Sequence, residues 1–392
     1  MKFKILDIFL LIMMILGYDY YSRRIVYYGG ISIIDLIFFV YIIYTILIFR
    51  KKDKHFITKN GFLLFIFLFL DLGIGFIRGN AINLIYSNVM YIVMYFFVYC
   101  VFRNNNEYYN TNKLFKLFFV ASIICSFIYI INKYIEHGFV YNYFNNRIGL
   151  SDDINENNRI FGPDLVFWIP TLLGCFFNKF KKRYIVIISF FLVGLPAIFI
   201  YKNRQIPIMI FCMILIILLY KSIKYKNKYK SILVFYILIF LLVGGFSFVK
   251  LSSNERINNI FNFKNDTSLM YRVYTNQDAL AKIKNNFPIG SGLGSSFLFQ
   301  LNSSSEVIEH DITDNLWITL LLKLNIITFL ILLVYIVRLI INKNINIETR
   351  IIILTLMIST PISTVHITRI QYAFIIMYAI FKSKNKENYV EK

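Results

Sequence analysis

Apolar residues in this chain come in successive blocks, mostly of about 15 to 25, with short basic stretches between them. No other property restricts the fold so strongly, because a helix needs roughly 20 residues to cross the hydrocarbon of a bilayer. Twelve blocks can be counted, at about 5–18, 29–49, 61–77, 82–102, 114–132, 160–178, 184–200, 206–220, 231–249, 315–338, 350–362 and 368–381. The first, eighth, eleventh and twelfth are short for full spans, so ten to twelve crossings are expected. Composition agrees: with 58% apolar and only 16% charged residues among 392, a soluble domain has too little polar surface to cover its core. The expected fold is an all-α, polytopic transmembrane helix bundle forming a single integral membrane domain over residues 1–392. The first block has no small-residue cleavage site and is followed by further blocks, so it reads as a retained helix.

The formal charge of +21 does not indicate nucleic acid. The basic residues flank apolar blocks and form no single stripe, which suits anchoring to anionic head groups. Their distribution also orients the chain. Lys2 and Lys4, then Arg50 to Lys59, Arg103 to Lys116, Lys179 to Arg183 and Lys221 to Lys230 make every second short connection strongly basic. Positive-inside orientation then puts both termini in the cytoplasm, with Arg23 and Arg24 as exceptions. Cys100, Cys125, Cys175 and Cys212 lie in or at the end of apolar blocks without metal spacing, and read as small core residues.

This topology leaves two long loops outside, about 133–159 and about 250–314. The first is rich in Asn and Asp. In the second, the spacing of Leu269, Val273, Ala279, Leu280 and Ile283 predicts an amphipathic helix over 268–285, lying along the membrane face. Asn286-Phe287-Pro288 ends it. Gly290, Gly292 and Gly294 then form a glycine turn over 288–294, followed by a polar segment. These glycines lack the spacing and the preceding strand of a dinucleotide site. Two readings remain open: backbone amides near a bound anion or sugar, or a structural bend.

Several charged residues are candidates for chemistry. Arg272 lies on the outer helix ahead of the glycines, where its fork suits phosphate oxygens or lipid head groups. Arg204 occupies the very short turn IYKNRQIP, and Arg159 opens the block RIFGPDLVFW. Asp71 and Asp164 lie in apolar blocks, where a carboxylate must face protein or water. Asp71 could neutralise a buried arginine or serve folding. Asp164 could do the same or bind a hydroxyl. Where the second loop meets the tenth block stand Glu306, His310, Asp311, Asp314 and Asn315. An acid or imidazole there can accept a proton from a sugar hydroxyl, and Asp314 with Asn315 can equally cap the helix that follows. His310 has no second ligand at metal spacing. His366 and Arg369, in the last outer turn, can contribute to the same face. Lys323 lies one-third into an apolar block, where it must snorkel or pair with an acid.

The run Arg272, Asp278-Ala279-Leu280, Ile283, Pro288, Gly290, Gly292-Leu293-Gly294 resembles the signature of the O-antigen ligase and polymerase superfamily. There, an arginine-bearing helix precedes a proline–glycine turn, a variable loop and a polar pair opening a long helix. The resemblance is loose over the whole topology and extends in motif detail over about 269–328. It implies a bundle of about ten to fourteen helices that transfers a glycan from a polyprenyl-diphosphate donor to a sugar hydroxyl. By the same resemblance Arg272 and Arg204 bind diphosphate. Arg159 to Asp164 falls where relatives carry an arginine–proline–asparagine motif, here contracted and without the asparagine. Ligases usually open the helix after the loop with His-Asn. This chain has Asp314-Asn315, with His310 a turn earlier, which favours a Wzy-type repeat-unit polysaccharide polymerase.

The resemblance therefore implies a glycosyltransferase that polymerises repeat units of O-antigen, capsular or exopolysaccharide at the outer face of the inner or plasma membrane. Candidate catalytic bases are Asp314 and His310. Candidate substrate-binding residues are Arg159, Asp164, Arg204, Arg272, Gly290, Gly292, Gly294 and Asn315. No cofactor is required, although a divalent cation bridging an acid and the diphosphate fits the chemistry. Expected partners are the lipid-linked donor and acceptor, membrane lipid, a flippase and a chain-length regulator, and no nucleic acid. A ligase, or a flippase for lipid-linked oligosaccharide, is the alternative.

Overall fold

The computed structural model describes residues 4–16, 27–28, 31–51, 59–105, 108–109, 111–134, 165–201, 205–224, 267–299, 308–311, 313, 315–342, 345, 347–359 and 372–378. In chain order its helices are α1 (Ile5–Leu16), α2 (Ile33–Lys51), α3 (Lys59–Ile77), α4 (Ile82–Asn104), α5 (Thr111–Tyr134), α6 (Trp168–Phe176) and α7 (Arg183–Ser189). They continue as α8 (Leu195–Tyr201), α9 (Gln205–Lys224), α10 (Thr267–Asn286), α11 (Leu316–Lys323), α12 (Ile326–Ile341) and α13 (Ile347–Ser359). Residues 372–378 are also helical. Helix therefore falls on eleven of the twelve apolar blocks, and the ninth, 231–249, lies outside the described residues.

Three apolar stretches among the described residues are long enough to cross a bilayer: Ile82–Asn104, Asn112–Ile131 and Arg183–Ile200. Shorter apolar helices include Ile5–Ile15, Ile33–Ile48, Phe62–Ile77, Leu165–Phe176, Met209–Tyr220 and Ile326–Ile341. The chain is a multi-pass membrane protein built as an α-helical bundle. Two small antiparallel ribbons interrupt it, β1 (Tyr27–Tyr28) with β2 (Ile31–Ser32) and β3 (Phe297–Phe299) with β4 (Ile308–His310).

Its polarity pattern is that of a protein solvated by lipid. Ile33, Leu36, Val40, Ile43 and Leu47 of α2 are exposed, as are Phe191, Leu192 and Phe199. Asp7, Asp35, Asp71, Ser122, Ser126 and Thr171 are fully buried. Polar groups at that depth must be satisfied by protein. Asp7 takes the Lys113 ammonium at 2.9 Å and the Tyr109 hydroxyl at 3.0 Å. The Trp168 indole N–H donates to Ser126 at 2.9 Å, and Ser122 meets Thr171 at 3.2 Å. These bonds stitch α1 to α5 and α5 to α6 inside the main apolar core. A smaller core of Leu293, Leu324 and Phe329 packs with Leu68, Leu72 and Trp317 where α3, α11 and α12 meet.

Two blocks depart from a single regular helix. In the seventh, a π turn over Phe190–Gly194 separates α7 from α8 and sets Gly194 against the Trp168 ring. A Cβ on Gly194 would come within 2.6 Å of the indole. In the tenth, the run expected as one helix over 315–338 breaks at Leu324–Asn325. Asn325 is extended (φ −68°, ψ 159°), and its side-chain oxygen accepts from the Thr328 amide at 2.9 Å, capping α12. Asparagine competes with helix by capping the turn that follows. Apolarity alone does not register that competition.

Candidate functional site

The break in the tenth block and the glycine turn are one construction. After α10 the chain runs from Phe287 to Ser296 as an irregular strap, wedged between the C-terminal part of α3, the start of α4 and the α11–α12 break. Gly290, Gly292 and Gly294 all have positive φ, at +83°, +79° and +79°. Each also touches a neighbour too closely for a side chain. A Cβ would lie 2.6 Å from the Leu324 carbonyl oxygen at Gly290, 2.3 Å from the Gly75 nitrogen at Gly292, and 2.4 Å from the Ile85 side chain at Gly294. Glycine is required here both by conformation and by close approach.

Polar groups hold the strap in place. The Leu293 amide donates to the Asp71 carbonyl at 3.0 Å, and the Ile326 amide donates to the Pro288 carbonyl at 3.3 Å. The Asn80 side chain donates to the Ser291 and Leu293 carbonyls, both at 2.9 Å. Ser295 donates its hydroxyl to the Leu322 carbonyl at 3.1 Å. Asp71 Oδ1 accepts from both the backbone and the side chain of Asn325, each at 2.7 Å. Asp71 therefore fixes the broken helix; its partner is Asn325, in place of the arginine the sequence offered as one option. Six residues separate Asp71 from Ile77 at the end of α3, so the strap reaches on the order of 9 Å below that end. Ile77, Ile82, Phe287 and Ile289 are exposed around it and give it an apolar rim.

Behind the strap lies a buried cation. Lys323 Nζ donates to Asn88 Oδ1 at 2.7 Å and meets Asp311 Oδ2 at 3.3 Å. Asn88 Oδ1 also receives the Gly294 amide at 3.4 Å. Of the two options read from sequence, Lys323 pairs with an acid. In front of the strap are two more cations. Arg78 donates to the Asn286 side-chain oxygen at the strap's beginning, and Lys282 Nζ donates to the Ser296 carbonyl at its end. Ser296 in turn donates its hydroxyl to Glu309. Burial holds the Lys282 ammonium below the ordinary lysine range; the Glu309 carboxylate opposes this and the Arg78 guanidinium adds to it.

The structure brings some of the sequence-derived candidates together. Gly290, Gly292 and Gly294 form the strap itself. His310 ends β4 opposite Phe297, with the two rings 6.0 Å apart just beyond the strap. Asn315 is the N-cap of α11, accepting from the Trp317 amide at 2.9 Å and the Ile318 amide at 3.4 Å. Arg272 is half-buried on α10, on the side that carries buried Thr275 and Ala279, while Val273, Tyr274 and Leu280 are exposed. Ten residues of helix set Arg272 on the order of 15 Å from Lys282 along α10. Arg159, Asp164, Arg204 and Asp314 lie outside the described residues, as do Glu306, His366 and Arg369. Among the described residues no three metal-ligating side chains cluster.

Asn88, Asn325 and Lys282 were not singled out from the sequence. Asn325 carried a readable signal, a lone capping residue inside an apolar block and just after a lysine. Asn88 carried a weaker one, as a polar residue with Ser87 in the middle of the fourth block. Lys282 looked like any solvated helix lysine. No family model, curated protein or solved structure matches the chain.

Proposed function

We propose that the protein is a membrane-embedded glycosyltransferase that joins repeat units carried on polyprenyl diphosphate, extending an O-antigen, capsular or exopolysaccharide chain at the outer face of the membrane. The observation that carries this reading is the strap. Its residues are those of the resembling motif, and exposed apolar residues and a set of cations adjoin it. A lipid-linked diphosphate presents the same pairing of an apolar tail and an anionic head.

In the proposed reaction, the acceptor hydroxyl oxygen attacks the anomeric carbon of the donor sugar. The bond from that carbon to the diphosphate oxygen breaks, and diphosphate leaves with the electron pair. The hydroxyl proton passes to a base, Asp314 or His310. Cations offset the charge growing on the leaving group, so no nucleotide sugar is involved. Arg272, Arg204 and Arg159 are assigned to that role.

The test is reconstitution of the full chain with lipid-diphosphate repeat units, beside Arg272→Ala and Arg204→Ala variants. New diphosphate-linked oligomers, lost in both variants, support a polymerase. Transfer to a lipid A core acceptor indicates a ligase. Oligomers formed equally by the variants sink the assigned mechanism.

One observation favours a second reading, a carrier of lipid-linked oligosaccharide. A helix broken at Leu324–Asn325 beside a buried lysine resembles the discontinuous helices that bind cargo in transporters. Movement of labelled substrate across vesicles without new glycosidic bonds would establish that reading in place of the first.

A further inference from the structure

Arg78 and Lys282 come from distant parts of the chain and bracket the same strap: Arg78 is bonded to Asn286, the last residue of α10 before it, and Lys282 to Ser296 at its end. Asn286 links them: it accepts from Arg78, and its amide nitrogen donates to the Lys282 carbonyl at 2.9 Å and to Ser291 Oγ at 3.1 Å. Lys282 and Asn286 are one helical turn apart and share a face of α10. The guanidinium bonded to Asn286 is near enough to the Lys282 ammonium to repel it. Among the described residues neither cation forms an ion pair with a carboxylate. The Glu309 carboxylate acts on the Lys282 ammonium through space and accepts from the Ser296 hydroxyl, and it forms an ion pair with neither cation.

Two like charges held together cost free energy unless an anion joins them. Arg78 could have extended into solvent and Lys282 could have snorkelled away, but both side chains bend onto the strap. Arg78 follows exposed Ile77 directly, at the turn where the apolar run of α3 gives way to polar residues. A phosphate carried on an acyl or prenyl chain presents the same succession of apolar and anionic groups. Arginine offers a planar fork for two phosphate oxygens, and lysine adds a point charge.

We propose that Arg78 and Lys282 form a phosphate-binding clamp at the membrane interface, separate from Arg272. The oxyanion comes either from a bilayer headgroup or from the diphosphate of a lipid-linked substrate. The second source rests on the function proposed above; the first does not.

The test uses the full chain in phosphatidylcholine nanodiscs titrated calorimetrically with inorganic pyrophosphate. In parallel, native mass spectrometry follows retention of added phosphatidylglycerol. Arg78→Ala and Lys282→Ala should each weaken pyrophosphate binding about tenfold or more, the loss expected for one charge-assisted contact. Lys284→Ala, an exposed lysine on the same helix, should leave binding within about twofold. Arg78→Lys and Lys282→Arg should keep most of it, separating loss of charge from misfolding.

Phosphatidylglycerol retention that depends on Arg78 and Lys282, without pyrophosphate binding, assigns the clamp to bilayer lipid. If neither ligand depends on these residues, or Lys284→Ala costs as much, the clamp is wrong. Pair-dependent pyrophosphate binding in a protein that makes no oligomers would keep the clamp and remove the proposed function. Oligomers made at the wild-type rate by the double alanine variant, with no pair-dependent binding, would do the reverse.

Discussion

Four glycines near the strap separate the two reasons a glycine can be required. Gly73 lies within α3, and a Cβ there would meet nothing within 4 Å. Gly73→Ala should therefore stabilise slightly, by up to ~1 kcal/mol of helix propensity. Gly79 has φ +70° but also open space around it, so Gly79→Ala should cost only the left-handed penalty, ~1–2 kcal/mol. Gly75 is two residues from Gly73 on the same helix, but its Cβ would lie 2.3 Å from the Leu293 carbonyl oxygen. Gly292 combines both problems, with φ +79° and a Cβ 2.3 Å from the Gly75 nitrogen and 2.7 Å from its Cα. Backbone on both sides means neither can yield by rotating a side chain. To relieve the clash, the strap would have to lift off α3. That movement would stretch the Leu293–Asp71 bond and the two Asn80 bonds, at ~1 kcal/mol each. Gly292→Ala should therefore lose about 4–5 kcal/mol, the sum of the left-handed and hydrogen-bond costs. Thermal aggregation followed by size-exclusion chromatography in detergent ranks these variants directly. The expected order is Gly73→Ala at or above wild type, Gly79→Ala slightly below, and Gly75→Ala and Gly292→Ala on the order of 10 °C lower. If Gly75→Ala melts with Gly73→Ala, α3 and the strap are not in backbone contact and the packing account fails.

Other substitutions test the bonds around the strap. Asp71→Asn keeps an oxygen for Asn325 and should be much milder than Asp71→Ala, which leaves two buried donors unpaired at about 2–4 kcal/mol; the same melting assay distinguishes them. Lys323→Met leaves Asp311 without its cation and Asn88 with only the Gly294 amide and should cost about 3–5 kcal/mol, whereas the double variant Lys323→Met/Asp311→Leu should recover much of it. Equal melting of the single and double variants would mean the ion pair does not hold the β3–β4 ribbon to α11. Asn315→Ala removes the α11 cap and should lose about 1 kcal/mol, while Asn315→Asp should retain it. A collapse of sugar transfer in Asn315→Asp with unchanged melting would move Asn315 from capping into chemistry.

Most of the bundle was legible because hydropathy over about twenty residues is a coarse, additive signal. Blocks such as 82–102 and 114–132 became α4 and α5 almost without adjustment. The helix now seen as α10 was visible from the spacing of Leu269 through Ile283, and its end from Pro288. The break inside the tenth block showed only as Asn325 itself, a capping residue between runs as apolar as any in the chain. It depends on partners 38 and 254 residues away, the Pro288 carbonyl and the Asp71 carboxylate. The same holds for the site. Gly290, Gly292 and Gly294 announced a bend, but their packing against Gly75 and Ile85 follows only from tertiary structure. Lys323 was conspicuous because a charge in hydrocarbon needs a reason. Lys282 was inconspicuous because it sits on a polar helix where lysine is ordinary, and Asn88 because an uncharged polar residue in an apolar block stands out less than a charge.

The bonding of the strap also weighs between the two functional readings. Irregular backbone at bilayer depth is tolerated only where protein satisfies it. Here the satisfying groups come from every neighbouring element: the Asp71 carbonyl from α3, Asn88 from α4, Asn80 from the turn between them, Lys282 from α10, the Leu322 carbonyl from α11 and the Ile326 amide from α12. Alternating access needs one group of helices to rock against another around the bound cargo. Any such motion that parts α3 and α4 from α11 and α12 would strain several of these bonds at once, at ~1 kcal/mol or more for each one lost. It would also separate Gly75 from Gly292, whose backbones touch. A discontinuous helix fastened on both sides in this way is better suited to hold a fixed frame than to move. A fixed frame is what a diphosphate-activated transfer asks of its protein, because catalysis there depends on charges held in place as the leaving group departs. The broken helix alone favours a carrier, and its bonding favours an enzyme.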